Sequence, residues 1–171
     1  EMEIDREVVT LVSQVIVDKN DDSFKEPAKY IGKRYTIQEA NKMTTDFGWH
    51  FKEQEKGKYR RVVPSPMPEY IMHGKSIKAL VDRGTIVIAS GGGGIPVYNN
   101  SLGKLEGLDA VIDKDYSAAK MGRIIRAHEL WIITDVDAVY ENFGSSNQKR
   151  VSSMTKMEAE KLYDEGLFQK G

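Results

Sequence analysis

The sequence predicts an α/β fold built on a parallel sheet. Three observations carry that expectation. Residues 8–17, "VVTLVSQVIV", are rich in β-branched side chains and nearly continuous in apolar character, as suits a strand buried on both faces. Two further runs, "TIVIAS" (85–90) and "LWIITD" (130–135), have the same character. Between and after them lie segments with helical spacing, and helix alternating with strand implies right-handed crossovers in one sheet.

The elements follow in order. After the first strand, "DKNDDSFKEPAKYIGKRY" is charged and full of turn formers. "TIQEANKMTTDFG" reads as a helix, with Thr36 as N-cap, Glu39 three residues on to complete a capping box, and Gly48 to end it. "WHFKEQEKGKYRRVV" alternates on both sides of a turn at Gly57 and reads as a hairpin. Residues 18–62 therefore form a small polar α+β excursion, and 1–17 with 63–171 form the main α/β body.

In the second half, "SIKALVDRG" is a short helix stopped at Gly84, and "TIVIAS" is a buried strand. Gly91–Val97 is a loop. "GLDAVIDKDYSAAKMGRIIRA" leads into a helix starting near Asp113, with Ala118, Ala119, Gly122 and Ile125 as its close-packing face. "LWIITD" is another buried strand, "VDAVYENFGSSNQKR" a long loop, and "TKMEAEKLYDEG" an amphipathic helix capped by Thr155 and stopped at Gly166.

Composition bounds the function. Of 171 residues, 40% are hydrophobic and 30% charged, enough apolar material for a core. Lys plus Arg is 25 and Asp plus Glu 26, so the chain lacks the basic excess of a nucleic-acid binder. There are no cysteines, which excludes disulfides and thiolate metal sites and fits a cytoplasmic setting. No apolar run approaches the roughly 18 residues of a membrane span. His50, His73 and His128 share no ligand spacing, so no metal cage is expected.

Three constellations carry chemistry. Gly91, Gly92, Gly93 and Gly94 follow a strand, and four glycines can turn successive amides toward an anion; the alternative is a tight structural turn. Neither a Walker loop nor a dinucleotide fingerprint is present, since no Gly-Lys-Ser/Thr follows and Pro96 prevents a helix from opening there. In "VIDKD", Asp113 and Asp115 flank Lys114 at a helix start. Either this is a capped helix with a solvated lysine, or Lys114 meets a phosphate while Asp115 orients neighbouring cations. "TDVDAVYENFG" mixes acidic and aromatic residues after a strand, which suits a nucleotide, or else is a loop with an apolar anchor.

"IVIASGGGGIPV", "GLDAVIDKD" and "TDVDAVYENFG…NQK", in that order, resemble the carbamate kinases of the amino-acid kinase superfamily, as do "EPAKYIG" and "RRVVPSPMP". The resemblance runs from about Thr10 to Gly171. It implies a three-layer α/β/α sandwich on a mostly parallel sheet, with 18–62 as a protruding subdomain. It implies reversible phosphoryl transfer between ATP and carbamate. In arginine fermentation that reaction runs from MgADP and carbamoyl phosphate to MgATP and carbamate, in a cytoplasmic homodimer. Position by position, Lys114 neutralises a phosphate and Asp115 holds the lysines. Gly91–Gly94 face the carbamoyl side, and Thr134, Asp135, Asp137, Val139 and Tyr140 line the nucleotide pocket. Lys29 matches a subdomain lysine that reaches the transferred phosphoryl group, with Lys25 and Lys33 as neighbouring candidates. Ser90 stands where the family usually has Ala or Cys, and Lys120 falls in a helix usually lined with small apolar residues.

The family's opening "GGNA" and "GNGPQVG" type loops do not occur here, nor does the "SMGPK" type segment with its catalytic lysine. The expectation is an internal piece of about half an enzyme, inactive by itself. Two other readings remain: a nucleotide-binding or regulatory module that keeps the fold without catalysis, and a kinase for another small acid.

Overall fold

The computed structural model describes residues 5–167. The chain divides into two compact units, Glu1–Leu130 and Trp131–Gly171. In the first unit a four-stranded sheet has the order β6 (Pro68–Ile71), β2 (Gln14–Val17), β8 (Ile95–Asn99), β9 (Leu105–Gly107). Here β2 and β8 run parallel, and the outer strands are antiparallel to their neighbours. A second pair, β1 (Val8–Thr10) with β7 (Ile86–Ile88), is parallel. The α/β class is as expected, and its described sheets are mixed.

Residues 8–17 are not one strand. They break at 11–13, because the partner strand breaks too: Thr10 faces Ile88, and the next paired residues are Gln14 and Ile95. Three residues on one side thus face six on the other, and the excess is the glycine loop. Ile95–Val97 consequently belong to β8 rather than to that loop. Within β2 full burial is on one face, at Val15 and Val17, while Gln14 and Ile16 on the other are half-buried; Ile86 and Ile88 of β7 are exposed.

Residues 29–63 build a separate three-stranded antiparallel sheet, β3 (Lys29–Tyr35), β5 (Lys58–Val63), β4 (His50–Glu55). Helix α1 (Ile37–Phe47) packs on it. The capping box forms as the sequence indicates: Glu39 N donates to Thr36 Oγ1 at 3.3 Å, and Thr36 N donates to Glu39 Oε2 at 2.8 Å. Gly48 is the C-cap, and the hairpin turns at Gly57. Strand β3 had no sequence signal, because "KYIGKRY" alternates poorly. A bulge between Ile31 and Arg34 accommodates that irregularity.

Helices α2 (Gly74–Asp82) and α3 (Lys114–Ile125) pack together, and α3 also covers β6. The core is Val15, Val17, Ile71 and Ile112, with Leu108, Met121 and Ile124 against it. The buried face of α3 is therefore Ser117, Met121 and Ile124, not the Ala118–Ala119 face, and Ala119 is exposed. The i, i+4, i+7 spacing of those three places them on one helix side.

In the second unit, β10 (Val139–Glu141) and β11 (Lys149–Val151) form an antiparallel hairpin where a long loop was expected. Helix α4 (Lys156–Asp164) follows, with a second capping box between Thr155 and Glu158. The expected buried strand at 130–135 does not form: the segment has no strand, Trp131 is 79% exposed and Ile133 86% exposed. Apolar β-branched character marks a strand only where a ladder and a covering layer meet it. No helix among the described residues is long and apolar enough to cross a membrane.

Candidate active site

The glycine loop is tied down at both ends by one serine. Ser90 N donates to Ser13 Oγ at 2.9 Å, and Ile95 N donates to the Ser13 carbonyl at 2.8 Å. Inside the loop, Gly93 N closes a turn on the Ser90 carbonyl at 2.8 Å. The amides of Gly91, Gly92 and Gly94 take no part in backbone hydrogen bonds among the described residues.

The four glycines split into two kinds. Gly93 (φ 132°) and Gly94 (φ 93°) are packed against backbone. A Cβ on Gly93 would stand 2.9 Å from the Ile112 carbonyl carbon and closer still to its oxygen. On Gly94 it would stand 3.1 Å from the Ser13 carbonyl oxygen and closer to Val15 Cγ2. Around Gly91 and Gly92 a Cβ would meet nothing within 4 Å. The turn reading thus accounts for Gly93 and Gly94, and an open anion-facing amide surface accounts for Gly91 and Gly92. Ser90 sits at φ 62°, and its Oγ is buried with no hydrogen-bond partner among the described residues.

Helix α3 begins against this loop. Ser117 Oγ, fully buried, donates to the Gly93 carbonyl at 2.6 Å. Asp113 is the N-cap, as the sequence indicates: its Oδ1 accepts from Asp115 N at 2.9 Å. The helix N-terminus therefore brings its partial positive charge to the loop. Lys114 is solvent-facing, its side chain 64% exposed, with Nζ 3.5 Å from Asp115 Oδ1.

Lys29 reaches the same helix start from β3. Its Nζ donates to Asp113 Oδ2 at 2.6 Å. That hydrogen bond lowers the Asp113 pKa, burial opposes it, and the Asp115 amide and the charges of Lys29 and Lys114 add to the lowering. Of the other candidate lysines, Lys25 pairs with Asp22 at 2.6 Å and Lys33 lies over the Tyr35 ring at 5.0 Å. The segment before Asp113 is anchored to β5 as well: Val111 N donates to the Pro64 carbonyl at 3.0 Å, and Arg61 pairs with Asp109 while lying 4.2 Å over the Trp49 ring.

Five nucleotide-contact candidates fall in the second unit. Thr134 Oγ1 lies 3.4 Å from Asp135 Oδ1. Tyr140 donates its hydroxyl to Asp137 at 2.8 Å, a bond that raises the Tyr140 pKa. Val139 opens β10 opposite Val151, and the Tyr140 and Phe143 rings are 5.8 Å apart. Among the described residues there is no cluster of three or more His, Asp or Glu able to hold a metal ion.

Sequence reasoning missed the second role of Asp113 and both pinning serines. Asp113 was legible as a cap, but its pairing spans 84 residues and left no local signal. Ser13 and Ser117 look like any polar residue in a strand or helix.

Residues 7–171 match the model of the amino acid kinase family. The chain is 48% identical over 168 residues to a carbamate kinase of Clostridium perfringens, covering 98% of this chain and 53% of that protein. It is 46% identical over 171 residues to a carbamate kinase of Staphylococcus epidermidis, covering 99% and 55%. Among solved structures, carbamate kinase from Giardia lamblia bound to AMP-PNP superimposes with a TM-score of 0.83 at 34% identity, over 97% of this chain and 52% of that one. A protein from Aeropyrum pernix superimposes with a TM-score of 0.85 at 36% identity. The chain spans about half the length of the relatives it matches.

Proposed function

The chain belongs to the amino acid kinase family, and from that premise we propose that the protein carrying it transfers a phosphoryl group between ATP and carbamate. The observation that carries this reading is the meeting of three cationic or amide elements at one helix start: the glycine loop, the α3 N-terminus with Lys114, and Lys29 drawn in from β3. Phosphoryl transfer asks for this, because its catalysis is mostly positioning and charge neutralisation.

Toward ATP, a β-phosphate oxygen of ADP attacks the phosphorus of carbamoyl phosphate. The P–O bond to the carbamoyl group breaks, and carbamate leaves with the electron pair. Lys114 and Lys29 neutralise the oxygens of the group in transit, Asp115 orients the ammonium of Lys114, and the open amides at Gly91 and Gly92 meet the carbamoyl side, with Gly93 and Gly94 giving the loop its shape. Thr134, Asp135, Asp137, Val139 and Tyr140 contact the nucleotide, which arrives as its Mg2+ complex. Magnesium is usually held by substrate phosphates plus one or two carboxylates, so a dedicated cage is not required. Residues 18–62 act as a subdomain that presents Lys29. Where arginine is fermented the same reaction would run toward ATP, in a cytoplasmic homodimer.

The test is a coupled assay of ATP formation from MgADP and carbamoyl phosphate, run on the natural protein that contains this chain. Turnover of carbamoyl phosphate, and none of acetylglutamate or aspartate with ATP, is expected. ADP binding without ATP formation overturns the reading in favour of a non-catalytic nucleotide-binding module.

A further inference from the structure

We propose that Asp113 is the positioning residue for Lys29: one carboxylate both caps α3 and aims the subdomain lysine at the glycine loop. The inference rests on the phosphoryl-transfer reading above and assigns the orienting role toward Lys29 to Asp113 rather than to Asp115.

The two carboxylate oxygens divide the work. Oδ1 is held by the Asp115 amide and Oδ2 holds Lys29 Nζ. The cap fixes the plane of the carboxylate, so the direction of Oδ2 is set by the helix. Asp115, by contrast, has its carboxylate toward Lys114. Lys29 and Asp113 are both part-buried, with side chains 33% and 23% exposed. A lysine stem has several rotatable bonds to freeze. Pairing with a pre-aimed carboxylate freezes them before substrate arrives.

The surroundings keep that aim fixed. The Arg61–Asp109 pair and the Val111–Pro64 hydrogen bond hold residues 109–111 to β5, the strand next to β3, and to the residue that follows it. Ser117 holds the first turns of α3 to Gly93. The β3–β5–β4 sheet, the α3 N-terminus and the glycine loop are thus linked through residues 109–117. When phosphoryl oxygens enter, the Lys29 ammonium moves from one anion to another over a short path, and Asp113 keeps its cap.

Asp113→Asn and Asp113→Ser separate the two roles, since both residues are good N-caps and neither carries charge. The first measurement is limited acylation of the natural protein that contains this chain with acetic anhydride, resolved by residue with mass spectrometry. Lys29 should label about threefold to tenfold faster in both variants, with Lys25 and Lys33 within about twofold of the parent as internal standards. The second is turnover of MgADP and carbamoyl phosphate by the natural protein. Its kcat should fall about tenfold or more with KM for ADP within about twofold, the pattern of a lost transition-state interaction. Unchanged Lys29 labelling overturns the proposal, as does faster labelling with unchanged kcat. If the parent forms no ATP, the proposed function fails, while the labelling result still decides whether Asp113 holds Lys29.

Discussion

Replacing Gly93 by alanine tests the close packing of the glycine loop against the segment that leads into α3. The added Cβ would lie 2.9 Å from the Ile112 carbonyl carbon, with φ at 132°. Two costs add. A side chain in that backbone region costs about 1–3 kcal/mol. Forcing a methyl group into filled space costs about 1–3 kcal/mol more. The expected loss is therefore about 2–6 kcal/mol, and for a chain of this size each kcal/mol moves the midpoint by about 2–4 °C. Gly92→Ala is the internal control: its Cβ meets nothing within 4 Å, and its φ is not positive. That variant should match or slightly exceed the parent, by about 0.5 kcal/mol through a less flexible unfolded chain. Thermal unfolding followed by circular dichroism measures both. A Gly93→Ala midpoint within about 2 °C of the parent would refute the packing argument. The same pair probes ligand contact, because Gly92→Ala should weaken carbamoyl phosphate binding more than ADP binding. Equal weakening of both would reduce the loop to a turn.

Lys114→Ala should lower phosphoryl transfer by about 10² to 10³ with little change in the unfolding midpoint, since its side chain is mostly in solvent; near-parental turnover removes it from the mechanism. Acid sensitivity should also be local. The folded-state pKa of Asp113 is lowered, chiefly by the Lys29 hydrogen bond, so the folded chain binds that proton less readily than the unfolded one. Its contribution is complete above the ordinary aspartate value of about 3.9 and is lost as pH falls below it toward the folded value. Urea midpoints of the parent and Asp113→Asn should therefore converge below about pH 4, and parallel curves would contradict the ion pair.

Much of the helical structure was readable, because capping is local. Thr36 with Glu39 and Asp113 ahead of Lys114 announce their helices within four residues, and the structure places both caps there. The strands were read less well, because a strand is defined by a distant partner. "VVTLVSQVIV" was continuous in character and is broken in space by what faces it. "LWIITD" kept its apolar signature without forming a strand. The site divides the same way. Lys114, Asp115 and the glycines stand in short recognisable strings, whereas Asp113 met Lys29, and Ser13 met Ser90, only through the fold.

The three-against-six mismatch between 11–13 and 89–94 gives the protein slack in one place. Ser13 clamps the excess where it leaves and where it rejoins the pairing. Between those clamps only Gly91 and Gly92 are free of packing, so a change of length there is expected to alter the contour of the loop before it disturbs the β2–β8 pairing. The loop thus has two halves: Gly93 and Gly94 are seated on core residues Ile112 and Val15, whereas Gly91 and Gly92 stand clear of them. Variation in the exposed half can reshape the surface at the α3 start while the seated half holds the core together.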